Sequence, residues 1–173
     1  ALGSLGVVLA AAVLLLSHRQ ARRLAASEAR AKADATHDTL TGLPNRTAFA
    51  RNLQREVERA ASGNGGFGLI YLDIDRFKEI NDTHGHGAGD VLIVTAARRI
   101  AKALRAGSHV ARIGGDEFAV LVSDLREPKD CAELARRILA LFAEPVELGE
   151  NKTASATVSI GIALCPHDAR TIV

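Results

Sequence analysis

The stretch Arg112-Ile113-Gly114-Gly115-Asp116-Glu117-Phe118 constrains the fold more than any other part of this 173-residue chain. It sets two glycines and two adjacent carboxylates between the apolar runs His109-Val110-Ala111 and Ala119-Val120-Leu121-Val122. Apolar, β-prone residues on both sides of a Gly-Gly pair read as a β-hairpin, because glycine reaches the positive φ values of tight hairpin turns. A hairpin forces antiparallel pairing into whatever sheet the chain builds. Its acidic tip has two readings. It is either a surface turn kept polar for solubility, or a place where a cation or phosphate approaches backbone that carries no side chain.

A second acidic strand end lies upstream, in Phe67-Gly68-Leu69-Ile70-Tyr71-Leu72-Asp73-Ile74-Asp75. A short apolar run with glycines before it and charges after it reads as a buried strand. Strand periodicity sends Asp73 and Asp75 to one face. Asp75 has a structural explanation as the N-cap of a short helix opened by Arg76-Phe77-Lys78-Glu79-Ile80-Asn81. Asp73 does not. A carboxylate that ends an apolar strand is costly without a partner cation, and a hard divalent metal is a natural one.

Around these two segments the pattern alternates. Residues 45–62 read as a helix, with Phe49, Leu53 and Val57 on one stripe. Residues 90–105 read as a second, with Leu92, Ala96, Ile100 and Leu104, and residues 128–143 as a third, with Leu134, Ile138, Leu141 and Phe142. Residues 154–164 alternate as a strand. The fold class is therefore α/β (α+β), a central mixed but largely antiparallel sheet flanked by helices. His84 and His86 flank Gly85, but no third nitrogen or sulfur ligand follows at metal-binding spacing, so both read as structural.

Composition narrows the function classes. With no Trp and one Tyr, stacking on exposed bases is not the main activity. A net charge of +2 leaves no electrostatic footprint for duplex binding, so no nucleic acid is expected as a partner. The two cysteines, Cys131 and Cys165, lack ligand spacing and fit a reducing compartment.

The N-terminus is of another kind. Residues 5–16 are almost wholly aliphatic or Ala, and His18-Arg19-Gln20-Ala21-Arg22-Arg23 follows at once. That run is shorter than the ~20 residues a spanning helix needs. The chain begins without Met, so residues 1–17 read as the C-terminal part of a transmembrane helix. Arg19, Arg22 and Arg23 would mark its cytoplasmic side. A signal peptide fits poorly because its charges precede the apolar stretch; a buried helix is the remaining alternative. Residues 18–37 have strong helix propensity and a thin apolar stripe, which suits either a signalling helix paired with its twin or a solvated spacer.

Five ordered blocks resemble the GGDEF-domain family of diguanylate cyclases. They are Asp38-Thr39-Leu40-Thr41-Gly42-Leu43-Pro44-Asn45-Arg46, Asp73-Ile74-Asp75-Arg76-Phe77-Lys78-Glu79-Ile80-Asn81-Asp82, Gly85-His86-Gly87-Ala88-Gly89-Asp90, the hairpin signature Gly114 to Phe118, and Ser159-Ile160-Gly161-Ile162-Ala163. The family fold is of the class just derived, similar to nucleotide cyclases and the polymerase palm. The resemblance implies condensation of two GTP into cyclic di-GMP and two pyrophosphates by a homodimer, with two Mg²⁺ or Mn²⁺ in each site. It assigns Asp73, the Ile74 carbonyl, Asp116 and Glu117 to the metals, and gives Asp116 and Glu117 a catalytic part. Taken by itself, Glu117 also reads as a solvated turn charge. The resemblance places the guanine against Asn81 and Asp90, and the β and γ phosphates against backbone near Phe77 and Lys78, at a helix N-terminus. Gly114 and Gly115 let the hairpin approach the substrate. Without the resemblance, Asn81 reads as a helix-end Asn and Asp90 as an N-cap.

Two departures stand out. Family members with product inhibition carry Arg-x-x-Asp before the hairpin, whereas Arg105-Ala106-Gly107-Ser108 stands here. With Ser108 in place of the carboxylate, weak or no binding of cyclic di-GMP at Arg105 is expected. The family also continues past this chain's last residue into a helix whose Lys and Arg contact the triphosphate, so residues 38–173 are expected to form a GGDEF domain lacking its C-terminal segment, with an impaired site. The implied setting is an inner-membrane protein, tethered through its N-terminal helix, with this domain in the cytoplasm. Two alternatives are a catalytically silent GTP-binding module controlling an attached phosphodiesterase domain, and a dimerisation element with a vestigial site.

Overall fold

The structure, a computed structural model, describes residues 22, 35–125, 127–149 and 152–168. The chain divides into two compact units, Ala1–Ala35 and Thr36–Val173, and the elements below belong to the second. The expected membrane segment 1–17 lies outside the described residues, as does the linker helix 18–37 apart from helical Arg22 and residues 35–37. Among the described residues no helix is long and apolar enough to cross a membrane.

Helix α1 (Arg46–Ala61) starts where the sequence places it, because the Asn45 side chain accepts a hydrogen bond from the Ala48 amide at 3.1 Å. Strand β1 (Gly66–Ile74) leads to α2 (Phe77–His84) and α3 (His86–Ala103), then to the hairpin β2 (Ser108–Gly114) and β3 (Glu117–Leu125). Helix α4 (Pro128–Leu141) is followed by β4 (Val146–Gly149), β5 (Lys152–Ala154) and β6 (Val158–Cys165). Four strands form the main sheet in the order β2-β3-β1-β6, with every neighbouring pair antiparallel. Strands β4 and β5 pair separately.

Side-chain alternation divides the sheet into two faces. Ile70, Leu72, Ile74, Val110, Phe118 and Val120 pack with Leu92, Ile93, Ile100, Leu134 and Ile138 of α3 and α4. Phe67, Ala111, Ala119 and Leu121 pack on the other face with Phe49, Leu53 and Val57 of α1. Each fully buried Leu, Ile or Phe contributes about 1.5–3 kcal/mol. Gly68 on β1 makes room for α4: a Cβ there would stand 2.1 Å from the Cys131 sulfur.

Three sequence expectations change. Helix α3 begins at His86 instead of Asp90, behind Gly85 at φ +85° with no side-chain cap, so Asp90 is not an N-cap. Gly87 and Gly89 weaken the helical pattern there, and close packing of Gly89 outweighs their poor propensity. The expected strand 154–164 breaks at residues 155–157, where Ala156 is buried and the Thr157 carbonyl accepts from the Asp75 amide at 3.0 Å. That contact turns the chain from the small sheet into the main one. Asp75 does not cap α2: the N-cap position belongs to Arg76, and Asp75 bonds β6 instead.

Candidate active site

The hairpin turn is Gly115-Asp116, with Gly114 opposite Glu117 in the register and Gly115 at φ +51°, a value glycine adopts without strain. One arginine anchors it. The Arg112 guanidinium donates through Nε and Nη2 to the Gly115 carbonyl at 3.0 and 2.8 Å. Its Nη1 donates to both carboxylate oxygens of Asp38, at 3.0 and 3.1 Å. Asp38 also accepts from the Thr41 amide at 2.9 Å and hydroxyl at 2.7 Å. Burial pulls the Asp38 carboxyl upward, but the Thr41 and Arg112 contacts together outweigh it and hold the group below its usual range. The planar five-donor fork of arginine suits this double engagement, and lysine could not reproduce it.

Asp73 on β1 stands directly opposite Glu117 on β3. Both belong to the α1 face, and Asp116 sits on the adjoining turn. Like charges directly opposite on paired strands are destabilising. Accordingly Asp73 is pushed above the ordinary carboxylate range, by burial first and then by Asp116, Glu117 and Asp75. Tyr71, two residues before Asp73, lies beside Glu117; burial, then the neighbouring Glu117 carboxylate, raises its phenol.

Among the described residues no three His, Cys, Asp or Glu side chains lie close enough to hold a metal by themselves. The donor set nevertheless fits Mg²⁺, which takes one or two carboxylates and completes its shell with water and substrate phosphate. The oxygens are hard donors, and the raised Asp73 carboxyl marks a concentration of negative charge that a cation would relieve.

Next to Ile74, the β1–α2 turn passes through Asp75 and Arg76, the latter left-handed at φ +55°. Asp75 accepts from the Thr157 hydroxyl and, at 2.6 Å, from the Ser159 hydroxyl, and these two bonds hold its carboxyl below its usual range. The turn delivers Phe77 and Lys78 to the start of α2, where backbone amides have no acceptor within the helix.

Asn81 lies on α2 and exposed Asp90 on α3. The Asn81 Oδ1 is buried without a hydrogen-bond partner. Beside Asp90 opens a cavity of about 400 Å³, walled by Leu40, Val91, Val94, Thr95 and Arg98. Apolar walls around one carboxylate suit a flat base with donors on one edge. Arg105 and Ser108 lie at the opposite end of β2 from the turn, in a cavity of about 620 Å³ that also takes in Ser123, Asp124, Asp130 and Arg137. Exposed Arg105 stands 4.0 Å from Glu133. His84 lines a third cavity with Asp75, Arg76 and Glu79, and joins no metal-holding group.

The structure thus brings Asp73, Asp116 and Glu117 together, sets Phe77 and Lys78 at the adjoining helix start, and keeps Arg105 and Ser108 apart from them. Arg112, Tyr71 and Leu40 were not anticipated from the sequence. Tyr71 carries a weak signal, as the chain's one Tyr on the same strand face as Asp73. Arg112 carries no local signal, because its carboxylate partner is 74 residues away.

The profile of the family described as "Diguanylate cyclase, GGDEF domain" matches residues 35–173. The chain is 44% identical over 137 residues to the diguanylate cyclase TpbB of Pseudomonas aeruginosa, covering 79% of this chain and 32% of TpbB. It is 39% identical over 152 residues to MucR of the same species, named as a bifunctional diguanylate cyclase/cyclic di-GMP phosphodiesterase, covering 86% of this chain and 22% of MucR. The chain therefore spans about a third or less of the length of these curated relatives. Among solved structures, the coiled coil and GGDEF domain of DgcB from Caulobacter crescentus, in complex with c-di-GMP, is similar with a TM-score of 0.80 at 31% identity, covering 92% of this chain and 85% of that one.

Proposed function

The chain belongs to the GGDEF domain family of diguanylate cyclases, and on that premise we propose that it condenses two GTP into cyclic di-GMP and two pyrophosphates. The observation that carries the reading is the Asp73–Glu117 pair, opposed across two strands beside the acidic turn and the start of α2. In this reading Asp73, Asp116, Glu117 and the Ile74 carbonyl hold two Mg²⁺ or Mn²⁺. The metals, when bound, offset the charge of the triphosphate and of the α-phosphoryl transfer state.

The chain's own groups do the rest. Amides at Phe77 and Lys78 take the β and γ phosphates. Asn81 and Asp90 take the guanine edge, next to the cavity that Asp90 shares with Leu40. The Gly114-Gly115 backbone lets the hairpin lie against the substrate, and Arg112 fixes the turn so that Asp116 and Glu117 keep their place. The acidic pair receives the proton of the ribose 3′-hydroxyl. That oxygen bonds to the α-phosphorus of the second GTP as its bond to the β-phosphate breaks and pyrophosphate leaves. A second transfer in the opposite sense closes the ring.

Each domain holds one GTP, so two must face each other, and the 18–37 helix is the natural device for pairing them. We place residues 1–17 in the inner membrane, with the domain (38–173) on the cytoplasmic side. The test is GTP- and Mg²⁺-dependent synthesis of cyclic di-GMP by the protein, abolished by Asp116→Ala. A protein that binds GTP and forms no product overturns it. That outcome would favour the second reading, suggested by the likeness to bifunctional MucR, of a GTP-binding module that regulates an attached phosphodiesterase domain.

A further inference from the structure

Gly89 is the fourth residue of the 18-residue helix α3, one position before Asp90, and glycine is a poorer helix former than alanine. It is buried, and the space a side chain would fill is taken. A Cβ at this position would lie 1.9 Å from Asn81 Oδ1, 2.9 Å from Asn81 Cγ and 3.1 Å from the Cζ of Phe77. Any side chain therefore displaces the Asn81 carboxamide. That same Oδ1 is buried with no hydrogen-bond partner, although buried acceptors in native proteins nearly always have one. A carboxamide oxygen kept in place by the bare face of a neighbouring helix, and left without a donor, is set up for a donor from outside the chain.

From this geometry we infer that Gly89 is a positioning residue for base selectivity, acting through Asn81. The inference rests on the GTP-binding reading and deepens it. The donor class follows from the chemistry of the acceptors. Asn81 Oδ1 and the Asp90 carboxylate both accept. Guanine offers a 2-amino group that adenine lacks, and hypoxanthine, otherwise identical to guanine, lacks it as well. Gly89 thus secures the contact that reads the 2-amino group; a side chain there also presses on the Phe77 ring, so ITP is the control for any effect carried to the phosphate site.

The test is equilibrium binding of GTP and ITP to the full chain and to Gly89→Ala, Asn81→Ala and the double variant. Gly89→Ala is expected to weaken GTP on the order of tenfold, the loss of one base hydrogen bond, and to leave ITP within about twofold. The double variant is expected to bind GTP as Asn81→Ala does, because the carboxamide through which Gly89 acts is already gone. Equal losses for GTP and ITP in Gly89→Ala, or a double variant weaker than Asn81→Ala, would show that Gly89 serves helix packing alone and overturn the inference. If Gly89→Ala does not fold, the double variant, in which the clashing carboxamide is absent, decides the matter by the same comparison. Failure of the unsubstituted chain to bind GTP overturns the functional reading and this inference with it. GTP binding that Gly89→Ala leaves unchanged overturns this inference alone.

Discussion

Asp73 and Glu117 face each other across β1 and β3, and burial followed by the charges of Asp116, Glu117 and Asp75 pushes the Asp73 carboxyl upward. Such an arrangement costs stability in the metal-free chain, so replacing one charge separates the structural effect from the functional one. Asp73→Asn is expected to raise the stability of the metal-free protein by about 0.2–1 kcal/mol, while Mg²⁺ no longer stabilises the protein. Thermal melts with and without Mg²⁺ check both parts, and an Asn variant less stable than the original contradicts the account. Asp73 could be picked out from sequence because an ionised group ending an apolar strand conflicts with its surroundings over a few residues. Asp38 and Arg112 could not, because their bond joins segments 74 residues apart. Their side chains are only 22% and 15% exposed, so the ion pair is partly shielded from solvent. Since the folded Asp38 carboxyl lies below its model-compound value of 3.8, the folded state binds that proton less readily than the unfolded one. The resulting stabilisation is full above the unfolded value and is lost as pH falls through the folded one. Melting temperatures of the original chain and Asp38→Asn should therefore differ at neutral pH and converge below pH 3.8. A gap that persists at low pH would assign the effect to packing.

At the scale of elements, agreement with the sequence follows the strength of local signals. Helix α1 carries a cap and a clear stripe within itself, and its ends fall at residues 46 and 61 as the pattern requires. The start of α3 has two glycines and no capping side chain, and only contact with α2 makes it helical. Strand β6 is separated from β5 by a bond to Asp75, more than eighty residues earlier in the chain. The strands β4 and β5 are only four and three residues long, and Val146 and Leu148, which β4 turns to the core, are too short an alternation to reveal a strand. Asp75 ties the β1–α2 turn to β6 through Thr157 and Ser159, and the same turn leads into the α2 amides assigned to phosphate. Asp75→Ala should cost about 1 kcal/mol, a modest figure because the carboxylate reaches solvent. It should also raise KM for GTP several-fold with little change in kcat. Thr157→Val combined with Ser159→Ala should reproduce the KM effect while leaving Asp75 charged. A fall in kcat alone would place Asp75 in the chemistry instead of in positioning.

For the whole molecule, the domain presents the acidic turn, the start of α2 and the cavity beside Asp90. Under the proposed function that set serves one GTP, whereas forming a ring of two nucleotides takes two. In the proposed reaction, transfer happens only while two such halves face each other, so the rate would depend on the population of the pair and not of the single domain. When the domains pair weakly, product per milligram of protein should rise nearly in proportion to protein concentration and level off once pairing saturates. Joining two copies raises their effective concentration into the millimolar range. Replacing residues 18–37 with a strong parallel coiled coil should therefore lift activity at low protein concentration and abolish the concentration dependence. Mixing Asp116→Ala chains with unsubstituted ones gives an independent reading. Inactive partners are drawn into mixed pairs, so activity should fall with the square of the unsubstituted fraction. A linear fall, or activity per milligram constant across a hundredfold dilution, would mean that a single domain completes the reaction and that the 18–37 segment has some other task.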